Sequence, residues 1–134
     1  MIGVGIDVVD VLRLDAMLER TPALRDRLLA PSERSLSPAS QAARVAAKEA
    51  LGKALGAPGD CSWQDVTVER TATRRPYLVL SGNTLRIAQS LCVSHLHLSL
   101  SHDGDLATAI VIAERSGAAG VSSSEPSSDE ERQP

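Results

Sequence analysis

The feature that most constrains this chain is an unbroken helical segment at residues 39–56, ASQAARVAAKEALGKALG. Alanine, lysine, glutamate and leucine are strong helix formers, and Gly56 stands where a helix C-cap is expected. Only Gly52 is discordant, at a cost of about 1 kcal/mol relative to alanine in a helix interior. The density of alanine predicts a helix with small side chains that is packed closely on several sides. We therefore expect the other elements of the fold to pack around it.

The segments on either side read as short strands and helices. Asp-Gly at residues 103–104 lies between two alternating apolar runs and predicts a β-hairpin. The expected strands are residues 2–9, 65–70, 76–81, 96–101 and 106–114, and the expected helices besides the long one are residues 10–20, 22–29 and 83–91. This order predicts an α+β domain with an antiparallel sheet, one long alanine-rich helix and shorter helices.

Composition divides the 134 residues into a body and a tail. Residues 1–115 form one domain, whereas residues 116–134, SGAAGVSSSEPSSDEERQP, are predicted to be a disordered, acidic, serine-rich tail. Aromatic residues make up 1% of the chain and phenylalanine is absent, so the core must be aliphatic. A small aliphatic body gains from burying further surface between subunits.

Charge and cysteine usage narrow the function classes. The tail carries four acids and one arginine, which accounts for the whole net charge of −3 and leaves the body neutral. A neutral body argues against a general nucleic-acid binder. We also expect no membrane span and no signal peptide. Cys61 and Cys92 lack metal-type spacing and are interpreted as reduced thiols of a cytoplasmic protein.

Two groups of charged residues are candidates for chemistry. Asp7 is interpreted as the end of an apolar strand, where a carboxylate is either solvated or paired with a cation. On the long helix, Arg44 and Lys48 are four residues apart, as are Glu49 and Lys53. These residues form either ordinary surface pairs or a charged face that points into a cleft, and the surrounding alanines favour the cleft.

The third candidate is Ser101-His102-Asp103. His95 and His97 lie nearby, but no cysteine or acidic residue has the spacing of a zinc site. No nucleophile-elbow motif is present, so Ser-His-Asp hydrolysis is disfavoured.

Taken in order, these motifs resemble one family. Gly3-Val-Gly-Ile-Asp-Val-Val-Asp10, Ala43-Arg-x-Ala-Ala-Lys-Glu-Ala-x-x-Lys-Ala-Leu-Gly56 and His97-x-Ser-Leu-Ser-His102-Asp are similar to the segments of holo-acyl-carrier-protein synthase, the small 4′-phosphopantetheinyl transferase. The resemblance covers about residues 1–115. It implies the 4′-phosphopantetheinyl transferase fold, a homotrimer, and a coenzyme A site at each subunit interface.

The resemblance also implies an activity. A serine of an apo acyl-carrier protein attacks the β-phosphate of coenzyme A and 3′,5′-ADP leaves. Asp7 and Glu49 would hold Mg²⁺, and Asp7, Glu49 and Lys53 would be catalytic, with Glu49 a candidate base. The residues implied to bind coenzyme A are Arg44, Lys48, Lys53, Arg75, Pro76 and His102. Two carboxylates completed by phosphate oxygens and water are a usual Mg²⁺ environment.

An acidic, helical carrier protein requires a basic surface. Arg13, Met17 and Arg20 fall on one side of the helix expected at residues 10–20 and are predicted to bind it. The alternative is a solvated helix face balanced by Asp15 and Glu19.

Two alternatives from other classes remain at this point. One is a non-catalytic module of the same fold that binds coenzyme A or a carrier protein. The other is a trimeric interaction protein with an alanine-rich interface, which gives no reason for Lys48, Glu49 and Lys53 to stand together.

Overall fold

The computed structural model describes residues 1–56 and 61–116. The predicted tail therefore lies, apart from Ser116, outside the described residues. The strands are β1 (Gly3–Asp10), β2 (Val66–Arg70), β3 (Pro76–Leu80), β4 (His95–Asp103) and β5 (Leu106–Glu114), and the helices are α1 (Val11–Arg20), α2 (Pro22–Leu28), α3 (Pro38–Ala54) and α4 (Gly82–Ser90). Single 3-10 turns occupy Pro31–Glu33 and Trp63–Asp65.

The strands form two antiparallel sheets rather than the one expected. The larger has the order β1-β5-β4 and the smaller is the β2-β3 hairpin. The α+β class and the hairpin at Gly104, which has φ of 57°, are confirmed. The expectation that Asp7 ends its strand is wrong: β1 continues to Asp10, and Asp7 pairs with Ala109 in the middle of the ladder. Apolar side chains alone do not mark the end of a strand, because β1 extends through polar residues.

Local chemistry sets the ends of α3. Ser37 is its N-cap, and its Oγ accepts a hydrogen bond of 3.2 Å from the amide of Ser40. The helix begins at Pro38 and ends at Ala54, two residues before the predicted end, and Gly56 follows with φ of 90°. At α4 the N-cap is Ser81.

Two glycines allow α3 to lie directly on β1. A Cβ atom on Gly3 would stand 2.0 Å from the carbonyl oxygen of Ala54, and one on Gly5 would stand 1.8 Å from that of Ala50. No real Cβ tolerates such distances, so only glycine permits this contact. The main chains of the helix and the strand therefore touch, which fixes the position of every α3 side chain relative to β1.

The core beneath and beside α3 is aliphatic, as the composition predicts. One cluster joins α3 to both sheets and contains the buried residues Leu51, Leu80 and Val111. A second cluster joins α3 to α1 and α2 through Leu18 and Leu29. Because α3 is enclosed by both clusters, its charged residues are confined to a narrow part of its circumference.

The face of the larger sheet that points away from α3 is apolar and exposed. Its large exposed residues are Val4, Ile6, Val8, Leu106 and Ile110. They lie side by side, because Ile6 pairs with Ile110 and Asp10 with Leu106 across the β1-β5 ladder. None of the helices in the described ranges is long and apolar enough to cross a membrane.

Candidate active site

The site begins where β1 meets α3. Side chains two residues apart on a strand share a face, so Asp7 follows Gly5 on the side that contacts the helix. The ammonium of Lys53 lies 3.2 Å from Asp7 Oδ1 and donates a second hydrogen bond of 2.9 Å to the carbonyl of Ile6. The Lys53 side chain is 51% exposed and that of Asp7 19% exposed, so a ligand from solution has access to the pair.

Glu49 lies one helical turn before Lys53 and adds a second carboxylate. Burial, followed by the negative charge of Asp7, raises the pKa of Glu49, while Lys53 acts in the opposite direction. The two acids thus repel each other, and a single lysine stands beside them. Such a cluster favours the binding of a further cation.

The donor set fits Mg²⁺ as a partial ligand shell. Asp7 and Glu49 supply hard oxygen ligands, and within the part of the chain that the structure describes no group of three ligating side chains occurs. Mg²⁺ is commonly bound through one or two carboxylates together with substrate phosphates and water. The residues present therefore match a metal that is shared between protein and substrate.

A cavity of about 310 Å³ adjoins these residues. One wall is the charged part of α3, and the opposite wall comes from the segment that leads into β2. The lining residues are Lys48, Glu49, Gly52 and Lys53 on the first wall, and Cys61, Ser62, Trp63 and Val66 on the second. This cavity has a charged end at Glu49 and Lys53 and an apolar side at Trp63 and Val66, which suits an extended ligand with a phosphate head.

A second cationic group lies towards the N-terminal half of α3. Arg44 is 7% exposed, and its Nη1 donates to the carbonyl of Ser40 at 3.3 Å. Burial lowers the pKa of Arg44, and so does the charge of Arg70, while Glu33 and Glu69 raise it. The Nε of Arg44 is buried without a hydrogen-bond partner among the described residues. An unpaired buried donor is costly, so an anionic acceptor at this place would be favoured.

The environment of Lys48 differs from that of a surface cation. Its ammonium lies 2.7 Å from Glu33 Oε1 and 2.8 Å from the carbonyl of Leu28, and its side chain is 1% exposed. Burial lowers the pKa of Lys48, while the hydrogen bond and the charge of Glu33 raise it. In this structure the charge of Lys48 is directed into the protein, although part of the residue lines the cavity.

The remaining predicted residues lie on the β2-β3 hairpin, on β4 and on α1. Arg75 and Pro76 stand at the start of β3, where Pro76 pairs with Arg70. His102 lies near the end of β4, with its Nε2 3.2 Å from the carbonyl of Ala39 in the first turn of α3. The structure thus brings His102 to the N-terminal end of the helix that carries Arg44.

The expected carrier surface is an exposed face of α1. Leu14 and Leu18 are buried, while Arg13, Met17 and Arg20 are exposed on the other side. The amide of Arg13 is held by Asp10, the N-cap of the helix, at 2.9 Å.

Comparison with known proteins decides the family. The sequence model of the 4′-phosphopantetheinyl transferase superfamily matches residues 3–111. The holo-[acyl-carrier-protein] synthase of Beutenbergia cavernae is 55% identical over 115 residues, covering 86% of this chain and 99% of that protein. The chain belongs to the holo-[acyl-carrier-protein] synthase family. Another member, from Clavibacter sepedonicus, is 54% identical over 116 residues, covering 87% of this chain and 98% of that protein.

Solved structures of the family share the fold. The Helicobacter pylori synthase in complex with coenzyme A has a TM-score of 0.74 and 29% identity, covering 83% of this chain and 99% of that one. The Bacillus anthracis synthase in complex with CoA (3′,5′-ADP) has a TM-score of 0.70 and 30% identity, covering 86% and 97%. The resemblance inferred from the motifs and the fold class are confirmed.

Sequence reasoning missed three residues of this region: Glu33, Trp63 and Arg70. Glu33 and Trp63 belong to 3-10 turns, where no periodicity indicates which way a side chain points. Arg70 ends a strand of five residues, too short for its own alternation to identify a partner on α3. The one signal that the sequence offers for Arg70 is its positive charge, which it shares with the cationic residues of α3.

Proposed function

We propose that this chain transfers the 4′-phosphopantetheine arm of coenzyme A to a serine of an apo acyl-carrier protein. The observation that carries the proposal is the meeting of Asp7, Glu49 and Lys53 beside a cavity. The relatives are named holo-[acyl-carrier-protein] synthase, and a family member has been solved with coenzyme A bound. In the reaction the serine Oγ forms a bond to the β-phosphorus, the bridging P–O bond breaks, and 3′,5′-ADP carries away the electron pair.

Each of the three residues has a distinct part in this reaction. Asp7 and Glu49 would hold Mg²⁺, whose charge would neutralise that of the pyrophosphate of coenzyme A. Lys53 donates hydrogen bonds to the same phosphates, since its side chain is half exposed and its ammonium is already oriented by Asp7. Glu49 is also the candidate base that accepts the proton of the carrier serine, directly or through water.

The cations at the other end of α3 bind the remaining phosphate of coenzyme A. Arg44 has an unpaired Nε, and Arg70 provides a second guanidinium close enough to affect its pKa. Arg75, Pro76 and His102 complete this end of the site.

The exposed apolar face of the larger sheet supports a homotrimer. Contiguous exposed apolar patches of this kind mark association surfaces on otherwise polar proteins. In the assembly we propose, each coenzyme A site lies at a subunit interface. The protein acts in the cytoplasm, where acyl-carrier proteins and reduced thiols such as those of Cys61 and Cys92 coexist.

The transfer reaction is tested with coenzyme A, Mg²⁺ and an apo acyl-carrier protein, followed by the intact mass of the carrier. The wild type should add one phosphopantetheine per carrier and release 3′,5′-ADP. Asp7→Asn should lose at least tenfold in kcat/KM, about 1.4 kcal/mol of transition-state stabilisation. Asp105→Asn, which changes an exposed turn residue, is the matched control and should remain fully active.

Two outcomes would contradict the proposal. Binding of coenzyme A without transfer would indicate a non-catalytic module of the same fold. Full activity of Asp7→Asn would show that the metal is held elsewhere.

The carrier surface has its own test. Arg13→Glu places a negative charge on the face that meets an acidic carrier, so association should slow and KM for the carrier should rise several-fold at low salt. The dissociation constant for coenzyme A should not change. Arg86→Glu, an equal reversal on the exposed side of α4, is the control. If Arg13→Glu weakens coenzyme A instead, Arg13 belongs to the nucleotide site and the docking face lies elsewhere.

A further inference from the structure

The carboxylate of Glu33 is a buried charged group that lies outside the motifs singled out in the sequence. The residue is 1% exposed, and its two oxygens accept three hydrogen bonds. Oε1 accepts from the amide of Ala30 at 2.9 Å and from Lys48 at 2.7 Å, while Oε2 accepts from the amide of Val68 at 3.1 Å. Both oxygens of the Glu33 carboxylate therefore have hydrogen-bond partners.

Lys48 connects this carboxylate to another element. Its ammonium donates a second hydrogen bond to the carbonyl of Leu28, the last residue of α2. Together the two side chains join the end of α2, the 3-10 turn at Pro31–Glu33, α3 and β2. Removal of either partner would leave the other buried and unpaired, which is far more costly than removal of both.

The pair lies directly behind the cavity. Lys48 immediately precedes Glu49 on α3, and both residues line the first wall. Val68 is on β2, whose first residue, Val66, lines the opposite wall. A single carboxylate therefore links α3, which carries Glu49, to β2, whose first residue lines the opposite wall.

We propose that Glu33 and Lys48 are positioning residues for the transfer reaction, acting through Glu49 and the cavity walls, and that Lys48 is not a ligand of coenzyme A. This inference rests on the proposed function for its kinetic part. The ammonium of Lys48 is buried, so to reach a phosphate it would have to move away from Glu33 and Leu28 and leave a buried carboxylate behind. Lys53, which is half exposed, can reach a phosphate without such a rearrangement.

The test compares Glu33→Gln, Lys48→Met and the double variant in the full-length chain. Both single variants should lower kcat at saturating substrates by at least tenfold. Calorimetric titration should give a dissociation constant for coenzyme A within about twofold of the wild type for each. The double variant removes both buried charges, so it should fold. Its kcat should match that of the single variants and stay at least tenfold below the wild type, as for two residues that act as a unit.

The control separates positioning from loss of stability. Val93→Ala opens a cavity at a fully buried residue in the core, away from the proposed site. It should lower the melting temperature with kcat unchanged at temperatures where the protein is folded. The pair variants should lose kcat under the same conditions.

Three results would overturn the proposal. If Lys48→Met weakened coenzyme A binding tenfold while Glu33→Gln left it intact, Lys48 would be a phosphate ligand. If the pair variants lost kcat only at temperatures where the protein unfolds, as expected for Val93→Ala, the pair would be purely structural. A double variant with wild-type kcat would lead to the same conclusion. Because coenzyme A binding is measured without turnover, a wild type that binds but fails to transfer would refute the proposed function separately.

Discussion

The ionised form of Glu49 is less favourable in the folded protein than in the unfolded chain. Burial and the carboxylate of Asp7 raise its pKa above the ordinary value of 4.5. An acid whose pKa is raised on folding binds its proton more tightly in the folded state than in the unfolded state. Stability therefore falls as the pH rises from the ordinary value through the raised one, and the loss persists at neutral pH. The residue that we assign to the metal is thus retained at a cost to the metal-free fold.

Glu49→Gln should raise the melting temperature of the metal-free protein at pH 7, because it removes the buried charge and keeps the shape. The difference from the wild type should disappear below about pH 4, where both side chains are neutral. Added Mg²⁺ should stabilise the wild type and not the variant, since only a ligand that binds the folded state shifts unfolding. Scanning calorimetry over pH, with and without Mg²⁺, measures all three. A variant less stable than the wild type at pH 7 would show that the carboxylate is stabilised by contacts other than those described.

The residues of the candidate site could be predicted from the sequence where they lie in a helix or strand whose period is recognisable. Glu49 and Lys53 share one side of a helix whose period is known from sequence, and Asp7 was distinguished as an acid within an apolar run. Glu33 was not predictable, because its partners are two main-chain amides and one lysine distant in sequence. Hydrogen bonds to the main chain leave no pattern in side-chain order.

At the scale of elements, α3 and β1 form the frame of the site. The helix was predicted with its N-terminal end one residue too late and its C-terminal end two residues too far, because cap and breaker signals are local. The division into two sheets was not predicted, since alternation shows which face of a strand is buried and not which strand is its neighbour. The contact of α3 with β1 was also missed. It depends on glycines that look like ordinary strand interruptions in the sequence.

Two glycines on these elements should respond in opposite ways to the same change. Gly5→Ala places a Cβ 1.8 Å from a carbonyl oxygen of α3 and should prevent the helix from docking, with a large loss of stability. Gly52→Ala meets nothing within 4 Å and should stabilise the protein by about 1 kcal/mol through helix propensity alone. Urea unfolding of both variants measures the contrast. Equal destabilisation would mean that α3 does not lie on β1 as described.

Gly52 also lines the cavity, so the same variant reports on the ligand. If the arm of coenzyme A occupies the cavity, the added methyl group should weaken coenzyme A binding in a more stable protein. Unchanged affinity would place the arm outside the cavity.

The whole molecule presents one apolar surface that the single chain does not cover. The face formed by Val4, Ile6, Val8, Leu106 and Ile110 lies on the sheet side opposite α3. Asp7 occupies the same strand as the first three of these residues, with its side chain on the other face. Association on this surface would therefore act on the site through the strand that carries Asp7.

Ile6→Glu should convert the proposed trimer to monomer, because three buried carboxylates would have to be desolvated together. Sedimentation velocity measures the change directly. Coenzyme A affinity should fall with it, since the proposed sites lie at subunit interfaces. Gln89→Glu, on an exposed part of α4, introduces the same side chain as a control and should leave the assembly intact. A wild type that sediments as a monomer would refute the trimer outright.

The contact between the main chains of β1 and α3 has a consequence for how this protein can change over time. The two backbones that carry Asp7 and Glu49 are spaced by peptide atoms rather than by side chains. Substitutions among the aliphatic core residues can therefore alter stability while the span between the two carboxylate-bearing backbones stays constant. Substitutions in the core are therefore expected to leave the proposed metal site unchanged, and a library that randomises Leu51, Leu80 and Val111 should yield many active variants. The constraint is concentrated instead on Gly3 and Gly5, where a single methyl group changes the spacing.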